Sequence, residues 1–286
     1  MSARRPSPFV TKSGRVLHFE ETSPESHGLP VVCLHGIGGG AYFFTGFARR
    51  LAEASPDTFR VITLDLPGTG NSRTAVTNGD APVDFTLESM VADIGEFVRD
   101  HVGEPVVLLG HSFGTILALK AWETWPAGSI RGLLFVCGLP QALPVIHERL
   151  SARAQDIRQN GMGGWGMKVT PGVFSPRSRR ELPEITGLFE RLFEDQLPET
   201  YTHIIDVLLA ADLTATPATV TVPCAAIGGA DDSYAPPDAL RAFADSLTAA
   251  PAPCPVTILE GAGHMAFYER PEEFMRAAAA FLESLT

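Results

Sequence analysis

Gly110-His111-Ser112-Phe113-Gly114 follows Pro105-Val106-Val107-Leu108-Leu109, a short apolar run that favours a strand. The apolar residues of 115–122, just after it, recur at helical spacing. A strand that becomes a helix within so few residues leaves the chain few options. The serine is forced onto a sharp turn, with its hydroxyl presented above the sheet edge. The two glycines let backbone approach backbone where a Cβ would collide. The five-residue pattern alone recurs by chance, so the flanking elements carry the reading.

The same alternation runs through the first half of the chain. Val31-Val32-Cys33-Leu34 and Val61-Ile62-Thr63-Leu64 read as buried strands joined by a helix over 43–54. A helix over 87–101 leads to the strand at Val106, and 132–137 is a further strand. This rhythm implies right-handed β-α-β crossovers and an α/β fold whose mostly parallel sheet is covered on both faces. Phe9-Val10 and Val16-Leu17-His18-Phe19 read as an antiparallel hairpin at the sheet edge.

Residues 140–213 lack strand runs and read as helices broken by Gly161, Gly163, Gly164, Pro171 and Pro183. Strands return at 224–227 and 256–259, with helices over 238–247 and 271–285. The expected division is a core of residues 1–139 and 214–286 and a helical lid of 140–213 over one end of the sheet.

At 286 residues, 45% of them apolar and 19% charged, the chain can bury a large core and is not disordered. A formal net charge of −11 repels nucleic acid and anionic membrane surfaces, so neither is an expected partner. No run of about 18 apolar residues is present to span a bilayer. Arg4 and Arg5 are followed by no apolar stretch, so the start does not read as a signal peptide. Cys33, Cys137, Cys224 and Cys254 lack metal-ligand spacing and read as small buried hydrophobes kept reduced in a cytoplasm.

A serine hydroxyl is a weak nucleophile until a base takes its proton, and the base needs a third group to hold its tautomer. Of the eight histidines, His264 suits the role best, because Gly261-Ala262-Gly263-His264-Met265 follows a strand and precedes the last helix. His111 lies in the turn itself, where its side chain points away from the serine's. The acid should come from a strand end between the two. Gly229-Ala230-Asp231-Asp232 offers Asp232, with Asp231 as the fallback.

Attack on a carbonyl creates an oxyanion that needs two N–H donors. Phe113, directly after the nucleophile, supplies one, and Ile37 in His35-Gly36-Ile37-Gly38-Gly39-Gly40 the second. That glycine-rich loop is not a phosphate cradle, since it lacks a G-x-G-x-x-G with a following acid and a Lys-Ser/Thr pair. Phe43, Phe44, Leu139, Met162, Trp165 and Met265 are candidates to line an apolar pocket. The lid arginines Arg153, Arg158, Arg177, Arg179 and Arg180 read mostly as solvated helix faces, none of them assigned to a substrate carboxylate.

Several of these pieces together resemble the α/β-hydrolase superfamily over nearly the whole chain. They are His35-Gly36, the turn Asp65-Leu66-Pro67-Gly68-Thr69-Gly70-Asn71-Ser72, the Ser112 elbow, the acid loop at Asp232, and Gly263-His264 with Glu269-Arg270-Pro271 downstream. The resemblance implies a structural role for the Asp65 turn. With serine and not aspartate as nucleophile, it points away from epoxide hydrolases and haloalkane dehalogenases. Gly161-Met162, Val173-Phe174-Ser175-Pro176 and Ala210-Ala211-Asp212-Leu213 are loosely similar to the lid of 3-oxoadipate enol-lactonase-type hydrolases.

The expected activity is hydrolysis of a carboxylic ester or lactone of a small, mostly apolar substrate through an acyl-enzyme, without metal or organic cofactor. Cleavage of a carbon–carbon bond or an amide uses the same parts. A ligand-binding, receptor-like role with incidental hydrolysis is the alternative of another class.

Overall fold

The computed structural model describes residues 8–75 and 85–286. The basic start at Arg4 and Arg5 lies outside the described residues. The chain runs β1 (Phe9–Val10), β2 (Val16–Leu17), β3 (Phe19–Thr22), β4 (Leu29–Leu34), α1 (Thr45–Ala54), β5 (Phe59–Leu64), α2 (Leu87–Phe97), β6 (Val106–His111), α3 (Phe113–Thr124) and β7 (Ile130–Val136). The helices α4 (Pro144–Asn160), α5 (Trp165–Val173), α6 (Pro176–Glu181), α7 (Pro183–Glu194) and α8 (Pro198–Ala210) follow. The chain ends with β8 (Cys224–Gly229), α9 (Pro237–Asp245), β9 (Val256–Leu259), α10 (Ala266–Glu269) and α11 (Pro271–Glu283).

Among the described residues, seven strands form one sheet in the order β3-β5-β4-β6-β7-β8-β9. Only the edge strand β3 is antiparallel to its neighbour; the other pairs are parallel. Every residue of β4 and β6 is buried, as strands covered on both faces require. The expected hairpin does form from β1 and β2, but it is a separate two-stranded sheet. His18 interrupts the run, and Phe19 begins the edge strand of the main sheet instead.

From β4 the chain moves outward to β5, then returns across β4 to β6. Right-handed crossovers in opposite directions place α1 on one face and α2 on the other. Accordingly α1 packs against α11, and α2 against α3. Residues 113–119 of α3 are all buried, so this helix is apolar all round and not amphipathic. Open α/β sheets bind ligands where the strand order reverses. Here the register pairs Leu34 with Gly110, so the loop beginning at His35 and the turn at Ser112 leave the sheet side by side.

Helices α4–α8 form the insertion between β7 and β8, with α4 against α8 and α5 against α7. The Leu213 N–H donates to the Pro140 carbonyl at 3.1 Å, drawing the two ends of the insertion together. Proline opens α4, α6, α7, α8, α9 and α11, where its missing N–H has no intrahelical acceptor to lose. Pro183 is thus a helix start. Pro171, expected to break a helix, lies inside α5, and its lost bond falls opposite the exposed residue Met167. Among the described residues, no helix is long and apolar enough to cross a membrane.

Candidate active site

Ser112 has φ 53° and ψ −116°, a conformation that a residue with a Cβ adopts only when its surroundings impose it. Its N–H donates to Val136 O at 3.0 Å, and its carbonyl accepts from Thr115 N at 2.9 Å. A Cβ on Gly110 would lie 2.4 Å from Gly114 O, and one on Gly114 would lie 2.1 Å from Leu34 O. Backbone therefore closes directly on backbone around the serine. Serine at a helix N-terminus usually caps it, but the Ser112 hydroxyl makes no capping bond to α3. The residue lines a cavity of about 80 Å³ instead.

His264 lines the same cavity. Its Nδ1–H donates to Asp232, with Oδ2 at 2.9 Å and Oδ1 at 3.1 Å. Asp232 Oδ1 also accepts from the backbone N–H groups of Tyr234 and Ala235, at 2.8 and 3.1 Å. Burial pushes this carboxyl up, but His264 and those N–H donors outweigh it and hold it below the ordinary carboxylate value. Asp232 is thus an anion that orients the imidazole through Nδ1. Asp231 is exposed, and the carboxylate on His264 Nδ1 is that of Asp232. Ser112 and His264 share the cavity without a direct hydrogen bond between them among the described residues.

The glycine-rich loop is held from behind by two buried side chains. His35 Nδ1–H donates to Gly36 O at 2.7 Å, and its Nε2 accepts from Leu66 N at 3.1 Å. Burial lowers the pKa of His35, keeping it neutral as this acceptor role requires. Asp65 accepts from Ala41 N at 2.6 Å and Asn71 N at 2.9 Å, so the 65–72 turn clamps the loop's far end. Ile37 lines the cavity, and Phe113 is the first residue of α3, whose initial N–H groups have no intrahelical acceptor.

The loop bearing His264 is tied to the insertion. Val173 O, at the end of α5, accepts from His264 N at 2.8 Å and Met265 N at 3.2 Å. The buried Glu269 accepts from Gly263 N and from Ser175 N, each at 2.8 Å. His111 joins from the other side, its Nε2–H donating to His264 O at 3.0 Å.

Phe43, Leu139 and Met265 line the cavity, as does Ile37. Phe44 and Met162 are buried but are not among the lining residues, and so belong to the core packing. Trp165 lines a neighbouring groove, with its Nε1–H on Asp156 at 2.8 Å. These three are corrected from the pocket expected from sequence. Conversely, Tyr234 lines the cavity with its ring centroid 4.8 Å from that of His264.

Arg153 departs most from expectation. Arg177, Arg179 and Arg180 are exposed, and the exposed Arg158 pairs with Asp206. Arg153, by contrast, is 6% exposed and lines the cavity. The sequence did carry a signal for it. Ile146, Leu150, Ala154 and Ile157 form the buried stripe of α4, and Arg153 is the one charge within that stripe.

Among the described residues, Cys137, Asp232 and His264 bring three potential metal ligands within 4.8 Å of one another. The Asp232 oxygens are committed to His264 and two N–H groups, and burial pushes the Cys137 thiol well above its ordinary value. A protonated thiol beside an engaged carboxylate suits a hydrogen-bonded cluster better than a cation site.

The alpha/beta hydrolase family profile matches residues 31–277. A pimeloyl-[acyl-carrier protein] methyl ester esterase of Methylococcus capsulatus is 33% identical over 43% of this chain and 41% of that protein. A 2-hydroxy-6-oxononadienedioate/2-hydroxy-6-oxononatrienedioate hydrolase of Klebsiella pneumoniae is 31% identical over 41% of this chain and 39% of that protein. The chain thus spans about two fifths of the length of these curated relatives. Among solved structures, an esterase from Thermogutta terrifontis superposes with TM-score 0.83 at 23% identity, covering 98% of each chain. An enol-lactonase from Burkholderia xenovorans gives 0.84 at 20%, over 97% of this chain and 100% of the other.

Proposed function

Because this chain belongs to the alpha/beta hydrolase family, we propose that it is a serine hydrolase that cleaves a carboxylic ester or lactone of a small molecule. The observation that carries the reading is the His264–Asp232 pair, 2.9 Å apart, sharing a cavity with a serine held on a strained turn. With Nδ1 committed to Asp232, Nε2 is the basic atom. The Ser112 hydroxyl and His264 line the same cavity, and catalytic contacts of this kind commonly tighten only when substrate is bound.

His264 takes the hydroxyl proton as Ser112 Oγ attacks the carbonyl. The carbonyl oxygen becomes an oxyanion, stabilised by the Ile37 and Phe113 N–H groups; each such donor contributes on the order of 100- to 1000-fold in rate. The carbon–oxygen bond to the leaving alcohol breaks as His264 returns the proton to that oxygen. Water, deprotonated by His264, then attacks the acyl-enzyme and frees the acid and Ser112. Asp232 holds the imidazole throughout and stabilises its cationic form. Helices α4–α8 act as the lid. One water needs roughly 10–15 Å³ in such a cavity, so about 80 Å³ suits a short acyl chain.

Labelling with a fluorophosphonate, with the adduct located by mass spectrometry, tests this reading. The expected adduct is on Ser112, absent from Ser112→Ala and strongly slowed in His264→Ala. Labelling elsewhere, or unchanged labelling of Ser112→Ala, overturns it. The relative named for a carbon–carbon hydrolase supports a second reading, cleavage next to a carbonyl. Aryl esters and a vinylogous diketone separate the two, since a rapid phenol burst is expected only of the esterase.

A further inference from the structure

Among the described residues, Arg153 is a buried cation without an anion. Its Nη1 donates to Tyr201 Oη at 3.1 Å and its Nη2 to Tyr234 Oη at 2.7 Å. Both partners are phenol hydroxyls and not carboxylates; burial pushes the Tyr201 phenol up, away from ionisation. Nε is buried and has no hydrogen-bond partner among the described residues. Among the described residues no carboxylate lies within ion-pair distance of the guanidinium. Asp156, three residues on, is occupied by Trp165 Nε1 at 2.8 Å and Asn160 Nδ2 at 2.7 Å, with Lys168 Nζ at 3.6 Å.

A guanidinium keeps its charge in any protein environment. Removing it from water without a counter-ion costs far more than two neutral hydrogen bonds restore. Two of its five N–H donors are used, which leaves Nε–H and one hydrogen on each Nη, a planar set matched to the two oxygens of a carboxylate. The residue lines the cavity that holds Ser112 and His264, together with apolar side chains such as Ile146, Leu150 and Val169. It also borders the outer groove, where Arg149 and Lys168 make cations outnumber the single acid Asp156. On a chain of net charge −11, this is a local reversal of sign.

We propose that Arg153 is a specificity-determining residue that pairs with a carboxylate carried by the substrate, so that the preferred substrate is a half-ester or lactone of a dicarboxylic acid. The inference rests on the serine-hydrolase reading for the reaction, but not for the binding. The acyl chain lies along the apolar wall with its reacting carbonyl at Ser112 and its free carboxylate on Arg153. Tyr201 and Tyr234 hold the guanidinium in place.

The test compares para-nitrophenyl hydrogen adipate with para-nitrophenyl hexanoate, which differ in the terminal carboxylate. In a second arm, adipate alone is titrated calorimetrically into Ser112→Ala and into Ser112→Ala/Arg153→Met. Wild type is expected to favour the anionic ester in kcat/KM by at least about tenfold. Arg153→Met should reduce that selectivity ratio by about 100-fold, with Arg153→Lys in between. Adipate should bind Ser112→Ala and lose at least about tenfold in affinity in the double variant.

Hydrolysis of both esters without preference, or a ratio unmoved in a folded Arg153→Met, overturns the inference while leaving the serine-hydrolase reading intact. Absence of hydrolysis with Arg153-dependent adipate binding overturns that reading and keeps the carboxylate site. Adipate binding that is absent, or unchanged by Arg153→Met, removes the site. If Arg153→Met does not fold, the same comparisons are read from Arg153→Lys.

Discussion

His111 Nε2–H donates to the backbone carbonyl of His264 across 3.0 Å, joining the serine turn to the loop that carries the proposed base. The two rings lie 4.9 Å apart. With Nε2 protonated, the buried Nδ1 is bare and has no partner among the described residues. The contact requires a neutral imidazole, because a second proton at Nδ1 would be buried unsatisfied.

That requirement makes the fold acid-sensitive. Burial, helped by the neighbouring His264, lowers the His111 pKa from 6.5 to about 3. Below about 6.5 the unfolded chain takes up a proton that the folded chain refuses. The contribution of His111 to stability is therefore complete above that pH and declines as pH falls toward about 3. In the window between, it should give a slope of about 1.4 kcal/mol per pH unit. Urea unfolding measured between about pH 4 and 6 should show wild type steeper than His111→Gln by nearly one proton. Equal slopes would count against a neutral buried imidazole. His35 titrates in the same direction but is common to both proteins, so it cancels.

Replacing Asp232 by Asn removes the charge and offers His264 an amide that can stabilise the wrong tautomer. The expected fall in kcat is about 1,000- to 10,000-fold with little change in KM. Steady-state kinetics on a para-nitrophenyl ester measures it. A loss below about tenfold would mean that the 2.9 Å contact does not govern the base.

Glu269 accepts two buried N–H bonds, one from the His264 loop and one from the start of α6. Glu269→Ala leaves both donors unsatisfied, and a loss of about 2–4 kcal/mol in stability is expected. The base loop loses its anchor as well, so kcat should fall by more than about tenfold at temperatures where the variant stays folded. Thermal unfolding and kinetics on the same preparation separate the two effects. Full activity in a folded Glu269→Ala would remove Glu269 from the support of His264.

Two glycines should respond to alanine with opposite sign. In Gly114→Ala the new methyl meets Leu34 O at 2.1 Å, a backbone atom that cannot step aside, and a cost of about 1–3 kcal/mol or more follows. In Gly187→Ala the methyl meets nothing within 4 Å in mid-α7, and helix propensity should stabilise by about 0.5–1 kcal/mol. Denaturant midpoints compare the pair directly. A harmless Gly114→Ala would show that the turn is not closed by backbone contact.

Much of the fold was legible because its signals are local. Apolar runs such as 31–34 and 106–109 announce strands buried on both faces, and their alternation with helical spacing implies a parallel sheet. The misreadings are local too. Pro171 was expected to end a helix, yet its lost hydrogen bond falls on the exposed residue Met167, where it costs little. Phe19 reads as part of the hairpin because continuity of apolar residues does not reveal which partner strand a residue will find. Met162 and Trp165 read as pocket residues on hydrophobicity, which does not say toward which cavity a side chain turns.

Residue types and their order along the chain were enough to nominate Ser112, Asp232 and His264, because a strained turn, a strand-end acid and a loop histidine each leave a short-range mark. The tertiary structure alone decided that Asp232 and His264 meet at 2.9 Å beside the serine's cavity, and that Arg153 stands there with no counter-ion among the described residues. The reason is physical. Local periodicity sets which face of an element is buried, whereas the partner it is buried against depends on contacts between segments a hundred residues apart.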